Sequence, residues 1–124
     1  MQRDSFMALA TIVAAVFGLA FLIAPAQLTA LYGVTLTPAT EVLGRIAGST
    51  ILAFAIVYWG ARHGAAAEAW KAVMVAGLVA NGLDCLIMLH AAWTGLVNSY
   101  GWAQAVMNGL LALGFAWFTF GKRY

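Results

Sequence analysis

Asp84 stands in the apolar stretch Val79-Ala80-Asn81-Gly82-Leu83-Asp84-Cys85. An acidic side chain in hydrocarbon costs roughly 2.5 to 3.5 kcal/mol on insertion scales, and such residues usually face the inside of a bundle. Helical spacing puts Asn81, Asp84, Cys85 and Met88 on one face by the i, i+3, i+4, i+7 rule, and Gln104 and Asn108 on another by i, i+4. Arg45 enters about six residues into an earlier apolar run, and Asp84 lies about ten residues from the matching end of its own. At 1.5 Å per residue the two differ by roughly 6 Å in depth, within an arginine's reach. Ser49 is one turn below Arg45. These spacings predict a polar pocket in the outer half of a helix bundle. Arg45 and Asp84 would be its charged partners, and Ser49, Asn81, Gln104 and Asn108 its hydrogen-bonding walls, suited to a small apolar ligand. Two other readings use the same residues. The polar groups can satisfy one another and lock the helices, at about 0.6 kcal/mol per contact. Alternatively, Arg45 can reach outward to Glu41, four residues earlier, which leaves Asp84 without a charged partner.

His90 falls nine residues after Asn81, on the opposite face of the same helix. A histidine near the end of a membrane span can ligate the iron of haem or the magnesium of chlorophyll. Leu89-His90-Ala91-Ala92-Trp93 is similar in spacing to the antenna helices of purple bacteria, over those five residues only. The competing reading is an interfacial histidine bonded to water. A lipid- or isoprenoid-modifying enzyme would use Asp84 as acid or base with Cys85 or His90 as helper, but these three do not share one face. No catalytic set and no metal cluster is expected.

The elements that must carry these residues follow from composition. Of 124 residues, 65% are hydrophobic and 8% charged, far from a soluble domain. A membrane span needs about 20 mostly apolar residues, so the length allows four spans and little else. The expectation is an all-α polytopic membrane protein: a single four-helix transmembrane domain over residues 1–124, with spans at about 6–24, 40–60, 72–93 and 100–120. The net charge of +2 is spread thinly, with no basic run to support nucleic-acid binding. The single Cys85 cannot form an internal disulfide and suits a packing role.

Arg3, the first apolar run and Ala24-Pro25-Ala26 imitate a secretory signal. The run exceeds the roughly 7 to 15 residues of a signal core and is read as a span. Ala10, Ala14 and Gly18 form one small-residue face on it, and Gly44 and Gly48 carry GxxxG spacing on the second span, two stripes where helices can approach closely. Pro25 should stop the first span, with a short amphipathic turn after it that Gly33 ends. Thr37-Pro38-Ala39-Thr40-Glu41 reads as a helix start. Residues 61–71 read as the basic internal loop. Tyr32, Tyr58, Trp59, Trp70, Trp93, Tyr100, Trp102, Trp117 and Phe120 flank spans as an aromatic belt. Arg3, Arg62, Lys71, Lys122 and Arg123 all fall on one side of a four-span arrangement, so the positive-inside rule predicts that both termini are cytoplasmic.

Small multidrug resistance transporters need a glutamate in the first span, where this chain has only Thr11 as a polar side chain. The asparagine and paired-phenylalanine signatures of the small fluoride channels are also missing. The chain resembles the DoxX-like group of bacterial four-span proteins. The resemblance lies in overall length, in Ala24-Pro25-Ala26 followed by Leu31-Tyr32-Gly33, and in Gly44-Arg45-Ile46-Ala47-Gly48. It implies a bacterial inner-membrane protein without a catalytic motif, and an accessory or assembly subunit, since members of that group are linked to quinol-oxidising complexes. Partners would then be the bilayer and other membrane subunits or further copies of the chain. The alternative is a proton-coupled transporter working as a homodimer through Asp84.

Overall fold

A computed structural model describes residues 1–63 and 66–121. Lys122 and Arg123, counted above toward the orientation, lie outside the described residues. The fold is all-α: α1 (Arg3–Ile23), α2 (Pro25–Leu31), α3 (Pro38–Ala61), α4 (Ala67–Trp93) and α5 (Tyr100–Phe120). Four of them, α1, α3, α4 and α5, are long and apolar enough to cross a membrane. Their 21 to 27 residues give lengths of about 31 to 40 Å, against a hydrocarbon core of about 30 Å. The chain is an integral membrane protein by this measure, and it divides into two compact units, Met1–His63 and Gly64–Tyr124.

The first unit is an antiparallel pair of α1 and α3 with α2 at the bend. Proline makes the bend: Ala24 leaves the helical region (φ −139°, ψ 59°), and Pro25, which has no N–H to leave unsatisfied, opens α2 as its first residue. Gly33 (φ +75°) closes α2 in a Schellman turn, with its N–H donating to Ala30 O at 3.0 Å and that of Val34 to Thr29 O at 3.1 Å. Burial pushes the nearby Tyr32 phenol above the usual tyrosine range. A capping box starts α3: the Thr40 N–H donates to Thr37 Oγ1 at 3.2 Å, and the Thr37 N–H donates to Thr40 Oγ1 at 2.7 Å. The two helices then meet backbone to backbone at Gly18 and Gly48. A Cβ added to Gly48 would lie 2.6 Å from Leu22 N and 2.8 Å from Gly18 O, so neither position can carry a side chain at this separation. The expected small-residue stripes therefore face each other at these two glycines.

In the second unit α4 and α5 are also antiparallel. Gly77 lies under the fully buried ring of Phe115, and Cys85 Sγ is 3.3 Å from where a Cβ on Gly109 would stand. Gly95 (φ +76°) ends α4 in a second Schellman turn, with Gly95 N–H to Ala92 O at 3.3 Å and Leu96 N–H to Ala91 O at 2.9 Å. Asn98 Oδ1 accepts the Tyr100 N–H at 3.1 Å as α5 begins. The helices overrun the expected spans at two places. α1 starts at Arg3 rather than near Phe6, and α4 starts at Ala67 rather than at Ala72. Hydropathy marks the apolar part of a helix, whereas Asp4 and Glu68 in the first turns favour helix N-termini through the helix dipole.

Candidate functional site

The six expected pocket residues fall in both units: Arg45 and Ser49 on α3, Asn81 and Asp84 on α4, Gln104 and Asn108 on α5. Arg45 is occupied within its own unit. Because the chain breaks at Ala24-Pro25, the last carbonyls of α1 have no following N–H to accept. The Arg45 guanidinium takes that role, donating from Nη1 to Leu22 O at 2.6 Å and to Ile23 O at 3.4 Å. A cation is favoured at a helix C-terminus. Its Nη2 lies 3.7 Å from Glu41 Oε1, one turn earlier on α3. Both side chains are partly exposed, which limits such a pair to under about 1 kcal/mol. Arg45 thus ties the α1 terminus to α3. Ser49 donates to Ile46 O at 2.8 Å and spends its hydroxyl on its own helix.

In the second unit Asn81 likewise turns to its own helix, donating from Nδ2 to Gly77 O at 2.8 Å. Asn108 is the buried polar residue of α5, 5% exposed, and Gln104 is half-buried. Cys85 packs against α5 at Gly109, and Met88, also on the expected face, is half-buried. Asp84 differs from all of these. It is exposed, and among the described residues its carboxylate makes no hydrogen bond or ion pair. It lies nine residues before the α4 terminus at Trp93, about 14 Å along the axis and so near the middle of a hydrocarbon slab about 30 Å thick. His90 is exposed in the last turn of α4, where its carbonyl accepts the Thr94 hydroxyl at 2.8 Å. Among the described residues no three His, Cys, Asp or Glu side chains are grouped as a metal site.

A second polar constellation escaped the sequence reading, which used Arg3 and Arg62 as orientation markers and Trp59 as part of the aromatic belt. At the opposite end of the first unit from Arg45, His63 Nδ1 is 3.4 Å from Asp4 Oδ2. The Arg62 Nε–H donates to His63 Nε2 at 3.0 Å. An acceptor Nε2 places the imidazole proton on Nδ1, so His63 bridges Arg62 to Asp4 as a neutral tautomer. The Arg62 guanidinium also stacks over the Trp59 ring, 3.8 Å from its centroid, a contact worth about 0.5 to 1 kcal/mol at an exposed site. Arg3 Nε completes the group 3.6 Å from Asp4 Oδ1. The available signal was Trp59 preceding Arg62-His63 at a span end. What sequence could not supply was Asp4, brought beside them only by antiparallel pairing of α1 with α3. No protein-family model, curated protein or solved structure matches the chain.

Proposed function

We propose that this protein is an accessory or assembly subunit of a larger membrane complex, held in a bacterial inner membrane with both termini cytoplasmic. One observation carries the proposal: Asp84 is exposed on α4, a helix long and apolar enough to cross a membrane, without a partner among the described residues. A carboxyl facing lipid there costs roughly 2.5 to 3.5 kcal/mol, whereas one facing a partner helix that supplies a donor does not. The resemblance to DoxX-like proteins favours the same reading. A small apolar ligand beside Asp84 on α4 is the form this function takes if the occupant is a molecule rather than a helix. The same exposed carboxyl suits a second reading, a homodimeric proton-coupled transporter in which Asp84 takes and releases the proton.

Purification in mild detergent with native mass spectrometry tests these readings, for the wild type and for Asp84→Leu. The subunit reading expects a membrane protein in fixed stoichiometry with the wild type and its loss from the variant. A second copy of the chain in its place moves the function to the transporter, and a small molecule lost on substitution moves it to ligand binding. A wild-type protein that arrives alone overturns the subunit reading.

A further inference from the structure

We infer that Arg62 and Trp59, held by His63, form an interfacial site for the phosphodiester of an anionic phospholipid. The guanidinium has five N–H donors in a planar fork. Its Nε–H is committed to His63 and its face to Trp59. Among the described residues its Nη1 and Nη2 groups make no hydrogen bond. That outer edge is the part of arginine that matches a phosphate with two parallel bonds. Ordinarily an exposed arginine loses rotamer freedom when it binds; here the stack and the imidazole have already fixed it. Position agrees with chemistry: Arg62 is the residue after the last turn of α3, and Trp59 is exposed in that turn, the level at which tryptophan meets headgroups. Asp4 does not compete for the free edge, because His63 stands between its carboxylate and Arg62 and Arg3 lies on its other oxygen.

The test loads the full-length protein in detergent with phosphatidylglycerol and phosphatidylcholine in equal amounts and reads the lipids retained by native mass spectrometry. The wild type should prefer phosphatidylglycerol by about tenfold, the order of one charge-assisted pair. Arg62→Gln should abolish the preference, and Arg62→Lys, which keeps the charge but loses the fork and the stack, should keep only a small part of it. Trp59→Leu, with the charge intact, should lower it as Arg62→Lys does, and serves as the independent variant should Arg62→Gln not fold. Equal retention of the two lipids by the wild type overturns the site, as does a preference unchanged in Arg62→Gln or in Trp59→Leu. Full preference in Arg62→Lys overturns the fork geometry. Displacement of the lipid by millimolar inorganic phosphate shows that the site takes a free anion, and overturns the lipid assignment.

Discussion

Gly18 on α1 and Gly48 on α3 touch through their backbones, so closely that a Cβ on either would meet main-chain atoms of the other helix at 3.1 Å or less. Main chain cannot swing aside as a side chain can, so overpacking here should cost at the upper end of the usual range of about 1 to 3 kcal/mol. Gly48→Ala and Gly18→Ala are each expected to lower stability by that amount in equilibrium unfolding from detergent micelles. Gly60 and Gly82, where an added Cβ would meet nothing within 4 Å, are the controls. Alanine there should be neutral or stabilising by up to about 1 kcal/mol, from helix propensity alone.

The capping box at Thr37 predicts a local effect rather than a global one. Thr37→Ala removes the acceptor for the Thr40 N–H and should cost about 1 kcal/mol, whereas Thr37→Ser keeps the oxygen and should cost little. The box is exposed at the end of α3, so the loss should appear as faster amide hydrogen exchange confined to the first turn of α3. Equal protection in Thr37→Ala and wild type would show that the box does not hold the terminus.

Phe115 and Gly77 are matched in shape, and a double-mutant cycle can measure the match. Phe115→Ala in a soluble core would cost about 3 to 5 kcal/mol; between membrane helices, where lipid is as apolar as the core, only packing is lost and the lower end is expected. Gly77→Ala alone drives a methyl into the buried ring and should destabilise. In a Phe115→Leu background the same change should cost at least about 1 kcal/mol less, because the ring it strikes is gone. Additive costs would mean that the two residues do not share the contact.

How much of this could be read from sequence depends on the range of the interaction. The four apolar helices, the proline break at Ala24-Pro25, the helix start at Thr37-Pro38 and the glycine stop at Gly33 are set by neighbours a few residues apart, and such signals are written in the chain. The glycine stripes were visible singly; their meeting at Gly18 and Gly48 is a consequence of antiparallel register. Arg45 shows the limit. Its principal acceptors are carbonyls of Leu22 and Ile23, freed by a proline on a different helix, and a backbone acceptor carries no sequence signature. The His63 bridge to Asp4 joins the two ends of one hairpin and has the same character. Composition could flag Asp84 as expensive, but only the fold shows that the residue is exposed and unpartnered among the described residues.

That exposure gives Asp84 opposite effects on two measurable quantities. In the isolated protein, Asp84→Leu replaces an unpartnered polar group with an apolar one and breaks no hydrogen bond or ion pair among the described residues, so it should raise stability by up to about 2.5 to 3.5 kcal/mol. On the subunit reading proposed above, the same substitution removes the group that a partner helix would recognise, so association should weaken. Asp84→Asn, polar but uncharged, should fall between in both assays. A residue kept for internal structure behaves otherwise: its loss lowers stability and leaves association unchanged. Unfolding of the purified protein and retention of its partner, measured on the same three proteins, therefore separate the two roles. A destabilised Asp84→Leu would mean that the carboxyl is held inside the protein, and the reading of α4 as a partner-facing helix would fail.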